Sequence, residues 1–195
     1  TLSQTKRDMM AEVAATLAFS TIANNDKVGV ILFSDKIEKF IPAKKGKTHV
    51  LHIIRELLSF EPTSTGTNIA QALQYFSNAQ KRHCTAFLIS DFIGAGAMYQ
   101  PLLIASNRHE VNAIQIYDRH ETDLPNIGLI KFHDAETGND LWIDTAIASV
   151  RSAYAQSWRN NQNELEQLFT RTGVTHVSVR TDEDYVKALM HLFRC

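Results

Sequence analysis

The stretch Val28-Gly29-Val30-Ile31-Leu32-Phe33 is an unbroken apolar run, and the polar pair Ser34-Asp35 follows it. A run of this kind is typical of a strand that is covered on both faces, as in a parallel sheet. Residues 85–90 and 111–117 are two further segments of similar length that are rich in apolar residues. We therefore predict three buried strands at these positions.

Segments with helical periodicity separate the predicted strands. Apolar residues recur in them at three- and four-residue spacing, which predicts amphipathic helices. Thr5 with Asp8, and Thr181 with Asp184, resemble capping boxes that begin the first and the last helix. The helices are predicted over residues 5–23, 47–59, a segment containing Ile69, Leu73 and Phe76, about 98–108, about 146–171, and from Thr181 onward.

Strands alternate with helices along the chain of 195 residues, and no linker interrupts them. This order predicts one α/β domain over residues 1–195, a Rossmann-like three-layer sandwich with a mostly parallel sheet that is covered on both faces. Residues 36–41 alternate and carry charge, so we expect an antiparallel edge strand there. Residues 127–134 and 140–144 predict an extra hairpin, and residues 174–179 a last strand.

The composition limits the classes of function. Apolar residues make up 44% and charged residues 21%, with a net charge of −1, which is typical of a soluble globular protein and argues against a dedicated nucleic-acid binder. The two cysteines, Cys84 and Cys195, form no disulfide framework, so we predict a reducing compartment, the cytoplasm. No apolar run approaches the roughly 20 residues of a membrane-spanning helix, so no membrane segment is expected in this chain.

Polar residues that leave the predicted strands are the candidates for a binding site. Ligands bind parallel sheets at the carboxyl ends of the strands, where we expect Ser34-Asp35, Asp91 and Asp118. Thr67 lies in a loop before a helix that faces the same way. Asp91 and Thr67 offer the hard oxygen ligands that Mg²⁺ prefers. On these two residues alone, a helix cap for Thr67 and a cap or turn role for Asp91 are the simpler interpretations.

Other chemistries have weaker support in the sequence. The segment around Ser90 is not Gly-x-Ser-x-Gly, which argues against the strained nucleophile turn of many hydrolases. His49 and His52 are three residues apart, but no further ligand stands at a spacing that supports zinc. The basic cluster in residues 44–47 is interpreted as a solvated loop, with an acidic protein partner as the alternative.

The order and spacing of several short segments resemble a known family. These segments are 25–35, Phe40-Ile41-Pro42 with Lys45-Gly46, 66–73, 89–92, 118–121 with Leu124-Pro125, and 134–138. Together they resemble a von Willebrand factor A-type domain and, more narrowly, the bacterial family of unknown function numbered fifty-eight.

The resemblance implies a metal-ion-dependent adhesion site made by three loops. In A-type domains the first loop carries Asp-x-Ser-x-Ser, the second a Thr and the third an Asp; Thr67 matches the second and Asp91 the third. The resemblance therefore favours Thr67 and Asp91 as ligands of Mg²⁺ or Mn²⁺, with a partner's acidic residue completing the coordination. Ser34, Asp35 and Asp118 are further candidates for the partner-binding rim.

The sequence departs from the family pattern in one respect. No Asp-x-Ser-x-Ser occurs in it, and the family places that loop, with a central strand before it, immediately before the first helix. We therefore expect a truncated domain whose first central strand, between residues 28–33 and 85–90, is missing. Metal binding should then be weak or absent in this chain, and the interrupted sheet allows a homodimer through strand exchange.

The resemblance implies a non-enzymatic protein–protein interaction module. Its expected partner is a MoxR-type AAA+ ATPase, in chaperone-like or complex-assembly roles. The alternative is a Mg²⁺-dependent phosphohydrolase on a Rossmann-like scaffold, because a fold does not define a function. That enzyme would need a nucleophilic Asp and a phosphate-binding Lys that converge on Asp91. An extracellular adhesin is disfavoured because no disulfide pattern is present.

Overall fold

A computed structural model describes residues 5–64, 66–93, 98–133 and 140–193 of the chain. In these residues the helices are α1 Lys6–Asn24, α2 Lys47–Ser59, α3 Ile69–Ala79, α4 Tyr99–Ser106, α5 Arg119–Thr122, α6 Ala148–Thr172 and α7 Tyr185–Leu192. The strands are β1 Val28–Phe33, β2 Ile37–Lys44, β3 Thr85–Ser90, β4 Glu110–Tyr117, β5 Leu129–His133, β6 Asp140–Asp144 and β7 Thr175–Arg180.

A parallel sheet of three strands forms the centre of this α/β fold. β4 lies in the middle, with β3 on one side and β7 on the other. In the register of the sheet, Leu88 stands opposite Ala113, and Ala113 stands opposite His176. Because all three strands are parallel, their carboxyl ends meet at one edge of the sheet.

Helices cover both faces of this sheet, as its apolar strands predict. Successive residues of a strand point to opposite faces. Val111 and Ala113 of β4 pack in one core with α3, α4 and α6, where Phe169 is fully buried. Ile114 and Ile116 pack in a second core with α1 and α7. The prediction of a sheet covered on both sides is therefore confirmed for these three strands.

β1 differs from its prediction as a buried strand of the parallel sheet. It pairs only with β2, in an antiparallel ladder, and across the described residues no ladder joins β1 to β3. Leu32 is the one residue of β1 that is buried; it packs with α1 and α2 in a third core. The predicted antiparallel edge strand is confirmed as β2, although it runs to Lys44.

One of the two predicted capping boxes is confirmed, and the other is not. Thr5 and Asp8 form the predicted capping box of α1, since each side chain accepts a hydrogen bond from the other residue's backbone N–H. The predicted box at Thr181 is wrong. α7 begins after Asp184, whose side chain accepts from the N–H of Val186 at 3.0 Å, while the Thr181 hydroxyl donates to another carboxylate.

The predicted extra hairpin is confirmed as β5 and β6, and the residues between these strands, 134–139, lie outside the described part of the chain. The buried Thr145 anchors this hairpin, because its hydroxyl accepts from the N–H of Ile127 and donates to the carbonyl of Gly128. Leu141 and Trp142 on the hairpin are exposed. Within the described ranges, every helix is too short or too polar to span a bilayer.

Gly29 marks a close approach between β1 and β2. The register shifts between Val28 and Val30, and a Cβ atom at position 29 would lie 2.7 Å from the carbonyl oxygen of Ile41 and 2.8 Å from the nitrogen of Ala43. Only glycine fits there without moving the backbone of β2. The pairing of β1 with β2 therefore requires glycine at position 29, because a larger side chain has no room there.

We expect Gly29→Ala to destabilise the fold by about 1–3 kcal/mol, since the added methyl group must push two strands apart. Urea unfolding of both proteins measures this change. Gly66→Ala is the matched control, because its Cβ would meet only the Cβ of Asp35 at an ordinary 3.4 Å. Equal stabilities of the two variants would contradict the prediction.

Candidate functional site

The candidate site lies at the edge of the sheet where β3 and β4 end. Asp91 follows β3 and Asp118 follows β4, as the sequence predicts. Asp118 caps the short helix α5, which places Glu121 at the same edge. α1 also begins here and brings Lys6 to the site.

Lys6 joins two of these carboxylates. Its Nζ lies 2.9 Å from Oδ2 of Asp91 and 2.7 Å from Oε1 of Glu121. The exposed fractions of the three side chains are 29% for Lys6, 25% for Asp91 and 18% for Glu121, so these ion pairs are partly shielded from water. The second carboxylate oxygen of Glu121, Oε2, is buried and has no hydrogen-bond partner in the described structure.

The surroundings of Lys6 favour its charged form. Burial alone would lower the pKa of Lys6, but the hydrogen bonds to Asp91 and Glu121 and the attraction of both carboxylates outweigh it, and the pKa is raised. The ammonium group is therefore a fixed positive charge at this edge of the sheet. It also favours the ionised form of Asp118.

A tight turn after β3 orients Asp91. Oδ1 of Asp91 accepts from the N–H of Ile93 at 3.1 Å, and the Ser90 hydroxyl accepts from the N–H of Phe92 at 3.1 Å. Phe92 has φ 56°, a left-handed conformation that is uncommon for an aromatic residue. Its ring is buried edge-to-face against Phe169, which holds the turn in place. The turn role is thus confirmed for one oxygen of Asp91, and Oδ2 remains for a cation.

Buried polar side chains tie this edge to the neighbouring strands. The amide of Gln115 on β4 contacts the carbonyl of Asp91 at 3.4 Å and accepts from the Ser178 hydroxyl of β7 at 2.9 Å. Gln115 is buried and crosses from β3 to β7. Satisfied polar groups of this kind rigidify the edge that carries Asp91.

Asp118 is held by neighbours on both sides. It accepts from the N–H of His120 and from the hydroxyl of Thr181, each at 2.9 Å. The hydrogen bond from His120 is the main cause that lowers the pKa of Asp118, and the bond from Thr181 adds to it. Asp118 therefore fixes the junction of β4, α5 and the end of β7.

Thr67 is not a helix cap, so the simpler interpretation of this residue is wrong. Asn68 caps α3, because its side chain accepts from the N–H of Gln71 at 3.0 Å. Thr67 is exposed, and its hydroxyl makes no hydrogen bond to any described residue. Its loop is tied to the end of β1, where the N–H of Asn68 donates to the carbonyl of Ser34 at 2.8 Å.

Ser34 and Asp35 form a second polar group with residues that the sequence analysis missed. The carboxylate of Glu38 accepts from the Ser34 hydroxyl at 2.7 Å and from the backbone and hydroxyl of Thr63 at 3.0 and 2.8 Å. The bond from Ser34 is the main cause that lowers the pKa of Glu38. Ser34 is buried and holds the loop, whereas Asp35 is exposed.

The predicted site residues therefore fall into two groups. One group is Asp91 with Asp118 beside it, joined by Lys6 and Glu121, which were not predicted; the other is Thr67 with Ser34 and Asp35. No hydrogen bond in the described ranges joins Thr67 to Asp91. Lys6 is not recognisable as a site residue from the sequence, because the pair that it forms with Asp91 spans 85 residues.

The donor chemistry fits a hard divalent cation, but the set is incomplete. Asp91 and Glu121 supply carboxylate oxygens, which suit Mg²⁺ or Mn²⁺, whereas the exposed hydroxyl of Thr67 belongs to the other group. Within the described residues, however, no three His, Cys, Asp or Glu side chains are grouped closely enough to hold a metal ion. The ammonium of Lys6 takes the cation position between the two carboxylates.

Comparison with known proteins identifies the family. Residues 1–164 match the family described as "Protein of unknown function DUF58". The chain belongs to this family. The predicted membership is confirmed at this level.

The curated relatives in this comparison are uncharacterized mycobacterial proteins. Those from Mycobacterium bovis and Mycobacterium tuberculosis are 26% identical over 185 residues, which is 93% of this chain and 57% of theirs. One from Mycobacterium avium is 27% identical over 158 residues, 79% of this chain and 92% of its own length. The chain thus spans little more than half the length of the first two.

Two solved structures share the fold. The conserved hypothetical protein BatB from Bacteroides thetaiotaomicron aligns with a TM-score of 0.53 at 17% identity. An aerotolerance-related membrane protein from Bacteroides fragilis, with multiple mutations to serine, aligns with a TM-score of 0.59 at 16% identity. Each alignment covers 94% of this chain and 86% of the other. At these identities the likeness concerns the fold alone.

Asp118 should make stability depend on pH. Its pKa is lowered in the folded protein, so it stabilises the fold above its ordinary pKa of 3.8, and this contribution is lost as the pH falls through the folded pKa. We expect Asp118→Asn to be less stable than the unchanged protein at pH 7, with the difference shrinking below about pH 3.8. Urea unfolding of both proteins at a series of pH values measures this difference in stability.

Thr181→Val serves as the comparison for Asp118→Asn, because it removes one hydrogen bond and leaves the charge. Its loss of stability should be smaller at pH 7. If the difference in unfolding free energy between Asp118→Asn and the unchanged protein stays constant down to pH 2, the ionised carboxylate of Asp118 does not stabilise the fold as predicted.

Proposed function

We propose that this chain is a non-enzymatic protein–protein interaction module of the von Willebrand factor A type. Its partner in this proposal is a MoxR-type AAA+ ATPase, in chaperone-like or complex-assembly roles. Membership of the family supports the proposal. The observation that carries it is the position of Asp91, a partly exposed carboxylate at the carboxyl edge of a parallel sheet whose Oδ2 faces a cation.

The proposed chemistry is electrostatic bridging. A carboxylate that is fixed by a turn and faces a cation can share that cation with a carboxylate of a partner, and no nucleophile or base takes part. When a divalent ion is bound, it supplies the charge that joins the two carboxylates. Thr67 would add a neutral oxygen ligand, and the exposed Asp35 would belong to the rim of the interface.

The two proposed metal ligands differ in how well the structure fixes them. Asp91 is held by hydrogen bonds from the N–H of Ile93 and the side chain of Gln115. Thr67 belongs to the separate group at the end of β1. For this reason we expect weak binding of Mg²⁺ or Mn²⁺ by this chain alone, with affinity rising when a partner adds its own carboxylate.

Binding of a MoxR-type ATPase to the immobilised chain tests this function. We expect binding in Mg²⁺ or Mn²⁺ that weakens at least 10-fold in EDTA. Asp91→Ala should weaken binding by a similar factor, and Thr67→Ala by a smaller one. Asp26→Asn is the matched control because it removes an exposed carboxylate at the opposite end of β1, and it should bind as the unchanged chain does.

Two results would overturn the proposal. One is the absence of any interaction with the ATPase, with or without divalent ions. The other is turnover of a phosphoester by the purified chain that disappears in Asp91→Ala, which would support a phosphohydrolase instead. Binding that is equal in Mg²⁺ and EDTA would retain the partner and reject the metal bridge.

A further inference from the structure

The hairpin of β5 and β6 exposes large apolar side chains. Leu129 and Trp142 are 63% and 61% exposed. Leu129 stands opposite Asp144 and Trp142 opposite Lys131, so these four side chains share one face of the hairpin, which we call the hairpin face. Exposed apolar side chains that cluster beside charged ones mark interaction sites, and a two-stranded hairpin is only marginally stable without further contacts.

The segment 127–147 that contains this hairpin is acidic. It holds one lysine, Lys131, and no arginine, and with its histidine neutral its net charge is −3, because its acidic residues are Asp134, Glu136, Asp140 and Asp144. Lys131 is already paired with Asp140, at 2.6 Å. A surface that is both apolar and basic therefore complements the hairpin face.

The outer side of α2 has this apolar and basic character. Lys47, Leu51, Arg55 and Leu58 follow one another at spacings of four, four and three residues, so they share one side of the helix, which we call the α2 face. All four residues are exposed. The α2 face therefore combines two leucines with two positive charges.

Further positive charge lies where α2 begins. Lys44 and Lys45 are exposed and come directly before Gly46 and the helix. The one acidic residue of α2, Glu56, forms an ion pair with Lys39 of β2. The basic cluster in residues 44–47 thus adds to the charge of the α2 face, opposite in sign to that of the hairpin segment.

We propose that the hairpin face of one copy of this chain docks on the α2 face of a second copy. Both faces are exposed in a single copy, so neither covers the other within it. The contact joins two different surfaces, so each pair of copies keeps one unused face of each kind, and further copies can add to form a ring or a row. This interface involves none of the residues around Asp91, and it goes beyond the proposed function.

The two kinds of side chain have different roles in the proposed contact. Trp142 buries apolar surface against Leu51 and Leu58, and a tryptophan in such a position supplies much of the affinity of an interface. The opposite charges steer the two copies together and are screened by salt. Two short strands and one helix side form a small contact, so we expect weak, salt-sensitive association.

Sedimentation velocity of the purified chain, at concentrations up to about 0.3 mM, measures this association. We expect self-association at low salt that weakens at high salt and is the same in EDTA. Trp142→Ala should weaken it about 10-fold or more, and so should the α2 variant, Lys47→Glu with Leu51→Ala. Ile104→Ala is the matched control, because it shortens an exposed apolar side chain on α4, and it should associate as the unchanged chain does.

A mixture of the two variants tests which surfaces meet. Trp142→Ala keeps an intact α2 face, and the α2 variant keeps an intact hairpin face. An equal mixture should therefore form pairs with the affinity of the unchanged chain, although each variant alone stays monomeric. These pairs cannot grow further, because their remaining faces are the altered ones. Circular dichroism checks folding, and Leu129→Ala replaces Trp142→Ala if that variant unfolds.

Three results would overturn the inference. The first is an unchanged chain that stays monomeric throughout this concentration range at low salt. The second is folded variants that associate as strongly as the unchanged chain. The third is a mixture that stays monomeric although each variant alone is weakened, since hairpins would then pair with hairpins. Asp91→Ala should associate normally, so this inference and the proposed function can fail separately.

Discussion

The parallel pairing of β4 with both of its neighbours is the constraint on which the rest of the structure depends. β4 is buried along six consecutive residues, from Val111 to Ile116, so it must be covered on both faces and paired on both edges. Parallel pairing in turn places the ends of β3, β4 and β7 together. The carboxylates of Asp91 and Asp118 meet at one edge because these apolar strands run in the same direction.

Bringing carboxylates together has an electrostatic cost, and the structure balances it in different ways. Asp118 is stabilised by a backbone N–H and a hydroxyl, whereas Asp91 and Glu121 share the ammonium of Lys6. Hydrogen bonds from neutral groups leave the charge of a carboxylate in place. The ammonium of Lys6, on the first turn of α1, instead neutralises part of the charge of Asp91 and Glu121.

The sequence predicted much of the framework and only part of the site. Asp91 lies at the end of β3 as predicted, because a buried apolar run followed by Asp identifies where a strand ends. The role of Thr67 depended on a neighbour, since the side chain of Asn68 caps α3 and leaves the Thr67 hydroxyl without a hydrogen-bond partner among the described residues. β1 resembled a buried parallel strand in its composition, yet within the described part of the chain it pairs with β2 alone, because an apolar run does not specify which strand lies beside it.

The sequence by itself determined the order of helices and strands, since side-chain periodicity is a local property. It also determined the family, through motifs whose spacing extends along the chain. Only the tertiary structure decided that Lys6 meets Asp91 and Glu121, that Glu38 joins Ser34 to Thr63, and that Thr67 and Asp91 belong to separate groups. The contacts of Lys6 with Asp91 and of Glu38 with Thr63 link residues that are 85 and 25 positions apart, so they depend on how helices and loops pack against the sheet, which local periodicity does not encode.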